Sequence, residues 1–325
     1  MLFLNTALEG LRLGLCYAVL AMALYVSYTI LDFPDLSVEG NFPLGGVIGT
    51  IALYRLGLPP LLAVLLSFLS GALCGALMGL LHVKCRISKL LSGIIVMTGL
   101  ISVTLALTQL LSRGLTVVYF NYIPNGVRGF FNAPFTAGFS SSAKTLYGVA
   151  VLLVFALAVK LLLDLFFATK AGFLLRAAGS NEQTVRTLGQ DPGRIKMLGL
   201  MLSGGLVGVS GCLYAQMRLQ YDNTSGAGKV VIALVAVIMG LSLFGRIPRV
   251  RPTTAVALGA ILYSLALCFF TLIDRGGIYL KLFNAAFFAA VLILGENRLK
   301  FHTGWLKTLF SGKKRGGEKE ETTDA

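Results

Sequence analysis

Charged residues and histidines are scarce in this sequence, and their scarcity excludes several classes of protein. Only 13% of the 325 residues are charged and 56% are hydrophobic, whereas soluble domains carry roughly 25% charged residues. The chain has two histidines, and its five cysteines form no CxxC pair, so the usual ligands of zinc are missing. We therefore predict neither a soluble domain nor a metal site.

Motifs that carry catalysis or nucleotide binding are also missing. There is no GxxxxGK[ST] run, and the nearest stretch, residues 226–230, lacks the first glycine and the final Ser or Thr that a phosphate cradle needs. Neither GxSxG nor HExxH is present. We predict that the chain is not an enzyme and binds no cofactor itself.

Ion-coupled transporters usually need an acidic residue or a histidine deep in the membrane, and no predicted span carries one at its middle. Asp164 follows Lys160 by four residues, but both lie near the end of a span, where long side chains reach the interface. If the protein moves a solute uphill, the sequence predicts that the energy comes from another protein.

Long apolar runs fill the sequence instead, and the mean hydropathy is +0.81. Runs of about 20 apolar residues match the hydrocarbon thickness that a helix must cross. We therefore predict an all-α polytopic membrane protein. Eight full crossings are expected, at residues 8–31, 58–83, 88–112, 145–166, 195–217, 229–245, 252–272 and 278–296.

One further apolar piece, residues 42–56, is too short to cross easily. It follows an acidic turn, begins near Pro43 and is rich in glycine. We predict a re-entrant or broken helix, which a membrane tolerates only where the segment is buried in protein or lines a wet cavity.

The distribution of basic residues predicts the orientation. If the N-terminus, the loops 84–89, 167–196 and 246–251 and the tail face the cytosol, that side, with Lys160 near the end of its span, holds 20 of the 28 Lys and Arg. Such an excess is typical of cytosolic loops, and eight crossings then place both termini in the cytosol. Because the charge lies at membrane edges, the net charge of +14 does not indicate nucleic-acid binding. The predicted domains are a transmembrane unit, residues 1–310, and a polar, disordered tail, residues 311–325.

Glycines recur every four residues in two of the predicted spans. Small residues at this spacing let helix backbones approach closely in lipid. The pattern predicts helix packing within one chain, with an interface between copies as the alternative. The glycines concerned are Gly71, Gly75 and Gly79 in one span and Gly204 and Gly208 in another.

A polar stretch, GSNEQTVRTLGQDPGR, occupies residues 179–194 between two apolar runs. Ser180 or Asn181 is a suitable N-cap for a short helix, and Gly189 is a natural stop. Asp191, followed by proline, then starts the next helix. The stretch is either a connecting loop or a docking element for a cytosolic partner.

Residues 177–189 resemble the cytoplasmic coupling-helix segment of ABC importer permeases, in the branch that includes ribose and branched-chain amino-acid permeases. The chain keeps Gly179, Asn181 and Gly189 of that pattern, but has Thr184-Val185 for the usual alanine pair and Gln190 for an apolar residue. A second segment, LDFPDLSVEGNFPLGG at residues 31–46, is similar to the segment after the first long span of these permeases. It looks most like a less characterised branch whose binding proteins include some for aromatic amino acids.

The resemblance, which covers roughly residues 8–296, implies the transmembrane subunit of an ABC importer in the cell (plasma or inner) membrane. Two copies of the permease would line a central path for a small solute such as an amino acid or a sugar. Two P-loop ATPases would bind ATP and Mg and supply the energy, and an extracytoplasmic binding protein would deliver the solute. The alternatives are a stand-alone secondary transporter or channel and a non-transporting scaffold.

The same resemblance implies roles for particular residues. The residues expected to couple to the ATPase are Gly179, Ser180, Asn181, Glu182, Thr184, Arg186, Leu188 and Gly189. The candidates for the solute path, with helix capping as their alternative role, are Asp35, Ser37, Glu39 and Asn41. The residues expected to meet the binding protein are Asn121, Tyr122, Asn125 and Arg128.

Overall fold

A computed structural model of the chain describes residues 2–112, 117–120, 129–131, 141–245, 247–273, 279, 282–291 and 293. Helices make up most of these ranges, which confirms the predicted all-α class. The helices are α1 Leu2–Leu24, α2 Val38–Tyr54, α3 Pro60–Val83, α4 Lys89–Ser112, α5 Ser141–Ala168, α6 Lys170–Ser180, α7 Glu182–Thr187, α8 Pro192–Arg218, α9 Lys229–Phe244, α10 Pro252–Ile273 and α11 Leu282–Val291. Two short strands, β1 Val117–Tyr119 and β2 Gln220–Asp222, pair in antiparallel fashion.

Within the described residues, seven helices are long and apolar enough to cross a membrane. They correspond to the first seven predicted crossings. The first of them continues beyond α1 through a π-helical turn, Tyr25–Ile30. The eighth predicted crossing, 278–296, is described only in part, where α11 lies.

Helices α1 and α8 are the most buried of the seven, and they run antiparallel through the centre of the bundle. Ser203 Oγ donates to the carbonyl oxygen of Ala23 at 2.9 Å, and Ser210 Oγ donates to that of Cys16 at 3.1 Å. In lipid, where apolar burial drives helix association weakly, such bonds between helices stabilise the pair.

The two predicted glycine runs lie at the contact between α3 and α8 within one chain. A Cβ atom at Gly71 would overlap the carbonyl oxygen of Gly204, and one at Gly208 would overlap that of Ser67. Gly75 faces the backbone of Leu200 in the same way, and Gly79 packs on Met197. Only glycine allows the two backbones to approach this closely.

The segment predicted to be re-entrant or broken is instead one continuous helix, α2. Its 17 residues give a length of about 26 Å. Pro43 lies in the second turn, near enough to the N-terminus of the helix to remove a single backbone hydrogen bond. Thirteen of the 17 residues are buried, so packing against α3, α4 and α8 stabilises the helix despite its proline and glycines.

The structure also separates the N-terminus from the 84–89 loop, which the sequence predicted to lie on the same side. Beyond the π-helical turn, Asp32 accepts a hydrogen bond at 2.6 Å on its carbonyl oxygen from Lys89, at the start of α4. Arg12, in the N-terminal half of the first span, lies against Gly148 in the first third of α5. The N-terminus and the 84–89 loop therefore lie at opposite ends of the bundle, so the prediction that they share a side is wrong. The error arose because the 42–56 segment was not counted as a crossing.

We name the two ends of the bundle by their landmarks. The α7 end contains α6, α7 and the starts of α4, α8 and α10. The strand end contains β1, β2 and the starts of α1 and α5. The predicted tail, residues 311–325, lies outside the described residues.

Candidate functional site

The four candidates for the solute path lie around the start of α2. Asp35 Oδ1 accepts hydrogen bonds from the backbone nitrogen of Ser37 at 2.9 Å and from its hydroxyl at 2.6 Å. Both side chains are buried. This Asx turn satisfies the backbone nitrogen of Ser37 as the chain enters α2. The side chain of Ser37, the residue before α2, makes no capping hydrogen bond to the helix.

Glu39 and Asn41 connect α2 to other helices. Glu39 Oε1 accepts from the backbone nitrogen of Gly228 at 3.0 Å, just before α9. Asn41 Nδ2 donates to the carbonyl oxygen of Gly204 in α8 at 2.9 Å. The Oδ1 atom of Asn41 is buried and has no hydrogen-bond partner among the described residues. Buried polar atoms without a partner are rare in proteins. Asn41 Oδ1 is therefore an acceptor that remains available for a hydrogen bond.

A buried cation that sequence reasoning did not single out lies nearby. Lys229, the first residue of α9, is 7% exposed. Its Nζ donates to the hydroxyl of Tyr17 at 2.6 Å. It lies 4.7 Å from the ring centroid of Tyr17, 4.8 Å from that of Tyr214 and 5.4 Å from that of Phe42. Its signal in the sequence is a lysine directly before an apolar run.

No ion pair among the described residues involves Lys229. Its charge is stabilised instead by one hydroxyl and the faces of three aromatic rings. We name Lys229, Tyr17, Tyr214 and Phe42 the aromatic cage. Ionisable side chains inside membrane proteins are rare because burying them is costly. The contacts within the aromatic cage therefore offset part of the free energy that burying the Lys229 charge requires.

The polar stretch forms a short helix with the predicted start and stop. Asn181 Oδ1 accepts from the backbone nitrogen of Gln183 at 2.9 Å and caps α7. Gly189, with φ of +70°, turns the chain after α7 in a conformation that favours glycine. Asp191 Oδ1 accepts from the nitrogen of Gly193 at 2.9 Å and caps α8.

Two anchors hold α7 against the bundle. Val185 is fully buried, and Glu182 forms a hydrogen-bonded ion pair with Lys196 of α8. The Lys196 side chain is only 7% exposed, whereas that of Glu182 is 48% exposed. The hydrogen bond from Lys196 lowers the pKa of Glu182 below its usual range. The helix is thus fixed on its inner side alone.

The other predicted coupling residues fall into two groups. Gly179 packs on the end of the π-helical turn, where a Cβ atom would overlap the carbonyl oxygen of Ile30. Ser180 Oγ donates to the carbonyl oxygen of Ala177, so both residues belong to the last turn of α6, directly before α7. The members of the second group are exposed and project from the bundle: Thr184, Arg186 and Leu188.

A cavity of about 510 Å³ opens beside α7. It is lined by apolar residues of α6 and α8, including Leu174 and Leu198, and by the turn from Gly189 to Asp191. The exposed face of α7 protrudes from the bundle next to this cavity. The two features together form a surface to which another protein can bind.

Two further predictions concern the residues expected to meet a binding protein and the expected lack of a metal site. The residues expected to meet a binding protein, 121, 122, 125 and 128, lie outside the described residues. In the described part of the chain, no cluster of His, Cys, Asp or Glu has the arrangement of a metal site.

Comparison with known proteins places these features in one family. The family described as "Branched-chain amino acid transport system / permease component" matches residues 6–297. A tyrosine transport system permease protein of Clostridioides difficile (strain R20291) is 33% identical over 283 residues, covering 87% of this chain and 89% of that protein. A ribose import permease protein of Haemophilus influenzae is 25% identical, covering 82% and 77%. A probable branched-chain amino acid transport permease protein of Methanocaldococcus jannaschii is 27% identical, covering 69% and 70%. No solved structure matches the chain.

Proposed function

The chain belongs to the permease family of branched-chain amino acid transport systems, and we propose that it works as one of two permease copies driven by separate ATPases. The family consists of ABC importer permeases for small solutes, in accord with the resemblance found in the sequence. Membership in a family of transporters also agrees with the prediction that the chain is not an enzyme.

The anchored helix α7 carries the proposal. Its inner side is held by Val185 and by the pair between Glu182 and Lys196, while Leu188 is 54% exposed. Leu188 directly precedes Gly189, which lines the apolar cavity beside α7, and larger apolar surfaces rimmed by polar residues are typical of protein interaction sites. We assign α7 as the coupling helix, on which a P-loop ATPase docks with its ATP and Mg.

This assignment orients the protein in the membrane. If the ATPase docks on α7, the α7 end faces the cytosol. The loops at that end are rich in Lys and Arg, as is usual for cytosolic loops. The strand end and the N-terminus then face outward, where the extracytoplasmic binding protein delivers the solute.

We propose an aromatic amino acid as the solute. One support is the similarity to a tyrosine transport system permease protein. The other is the aromatic cage, in which a buried lysine and two tyrosines offer a positive charge and ring faces, the groups that complement a carboxylate and an aromatic side chain.

The first experiment is to purify the tagged chain from its native membrane in mild detergent and to identify the co-purifying proteins by mass spectrometry. We expect a P-loop ATPase in stoichiometric amount, together with solute-stimulated ATP hydrolysis. Reproducible absence of any ATPase, combined with solute flux by the chain alone in liposomes, would establish a stand-alone transporter and refute the proposal.

A pair of variants tests the role of α7. Leu188→Asp leaves both anchors intact but places a charge on the docking face, and we expect at least about a tenfold loss of ATPase binding, or about 1.4 kcal/mol. Lys84→Gln, at an exposed position of the same end, is the matched control and should bind normally. Equal binding by the two variants would show that the ATPase docks elsewhere.

A further inference from the structure

A second cavity, of about 430 Å³, lies at the α7 end between the last turns of α5, helix α6 and the start of α10. The span containing α5 ends at Ala168 and that of α10 begins at Pro252, and both residues line the cavity. It therefore sits at the edge of the membrane, where lipid headgroups lie.

The cavity has a surplus of positive charge. Its one lining acid, Asp164, is already occupied: it accepts from Arg251 at 3.0 Å and from Thr253 at 2.6 Å, and Lys160 lies 3.6 Å away. Arg176 has no ion pair among the described residues, and its guanidinium lies 4.9 Å from the ring centroid of Phe167. Two basic side chains, Arg176 and Arg251, thus line the cavity against one carboxylate that is already paired.

The outer rim of the same cavity is apolar and open. Leu161 is 55% exposed and Leu165 is 66% exposed, on the lipid-facing side of α5. Arg176, in α6, and Arg251, directly before α10, line the same cavity and lie outside the two spans. A ligand that fits has a negative head for the guanidinium groups and a hydrocarbon tail for the leucines.

We propose that this cavity binds the phosphate headgroup of an anionic phospholipid, with an acyl chain along Leu161 and Leu165. Guanidinium groups bind phosphate with two parallel hydrogen bonds, and Phe167 holds the Arg176 group in place by stacking. Basic pockets between membrane helices at the cytosolic side suit such headgroups. The site is separate from α7 and from the aromatic cage, so it does not depend on the identity of the solute.

Native mass spectrometry of the delipidated, full-length chain tests the site, with phosphatidylglycerol added as probe and phosphatidylcholine as the zwitterionic reference. We expect selective binding of phosphatidylglycerol. Arg176→Gln should weaken it about fivefold, the effect of one basic side chain near an anionic surface. Arg176→Lys keeps the charge but loses the paired hydrogen bonds and the stacking on Phe167, so its binding should fall between those of the wild type and Arg176→Gln. A melting curve verifies that each variant is folded.

The control is Arg194→Gln, since Arg194 lies at the same end and its side chain is 85% exposed. It should bind phosphatidylglycerol normally. Unchanged binding by folded Arg176→Gln, or an equal loss in Arg176→Lys, contradicts the site. Inorganic phosphate forms the last arm: if phosphate alone displaces the lipid at equal concentration, the cavity is a site for soluble anions and the lipid proposal fails.

Discussion

The Nζ atom of Lys229 donates a hydrogen bond of 2.6 Å to the hydroxyl of Tyr17, and this bond joins α9 to the central helix α1 inside the bundle. Lys229 is only 7% exposed, and among the described residues this is the one hydrogen bond that its Nζ atom makes. The two residues are 212 positions apart, so the contact exists only when the bundle is assembled.

The first prediction concerns this pair. Tyr17→Phe leaves the buried ammonium without its acceptor, and we expect a loss of about 1–3 kcal/mol in unfolding free energy. Lys229→Met removes the charge and keeps the shape, so it should be neutral or stabilising. In the double variant the cost of Tyr17→Phe should largely disappear. Thermal unfolding of the four proteins in detergent measures this cycle, and an equal cost in both backgrounds would rule out the coupling.

The second prediction concerns helix packing. Gly71→Ala places a methyl group where the carbonyl oxygen of Gly204 lies, and we expect overpacking to cost about 1–3 kcal/mol. Gly99→Ala in α4 is the matched control, because nothing lies within 4 Å of its added Cβ atom. That change should stabilise the helix by about 0.5–1 kcal/mol. A shift of the melting temperature in the same direction for both variants would contradict the described contact.

The third prediction is a pH dependence of α7. The pKa of Glu182 is lowered in the folded protein, chiefly by the hydrogen bond from Lys196. Its contribution to stability is therefore complete above the unfolded pKa of about 4.3 and is lost as the pH falls through the lower folded value. Because Glu182 is half exposed, we expect Glu182→Gln to cost only about 0.5–1 kcal/mol near neutral pH.

Melting temperatures of both proteins between pH 3 and pH 7 test this prediction. The difference between wild type and Glu182→Gln should be constant from pH 6 to pH 7 and should shrink below roughly pH 4. As a control, Glu182→Gln in a Lys196→Met background should show no such pH dependence. A difference that grows toward acid would contradict the ion pair.

The fourth prediction concerns sidedness. With the α7 end in the cytosol, a tag at the N-terminus should react with a membrane-impermeant reagent applied from outside intact cells or spheroplasts. A cysteine introduced at Arg194, in a variant without its native cysteines, should react only after the membrane is opened. Protection of the N-terminal tag would show that α1 runs in the direction originally expected from the charge count.

The features that the sequence predicted correctly are local ones. The Asn181 cap, the Gly189 stop and the Asp191 cap each depend on a few neighbouring residues, and long apolar runs identify membrane spans without knowledge of their partners. Of the eight crossings that these signals predicted, seven are long helices within the described residues, and α7 lies between its predicted cap and stop.

The features that the sequence missed depend on residues far apart in the chain. Helix α2 carries a proline and several glycines, which argue for a break, yet α8 and its neighbours bury thirteen of its residues. The burial of Lys229 was not predicted, because its partners Tyr17, Phe42 and Tyr214 lie in α1, α2 and α8. Burial by distant helices decides both cases, and no local pattern reports it.

The close approach of Gly179 to Ile30 has a mechanical consequence. With no side chain between the turn before α7 and the end of the π-helical extension of α1, the two segments touch backbone to backbone. A displacement of α7 is therefore transmitted to α1 through this direct backbone contact and not through flexible side chains. Since α1 also carries Tyr17, a force applied at one end of the bundle has a stiff route to the buried lysine.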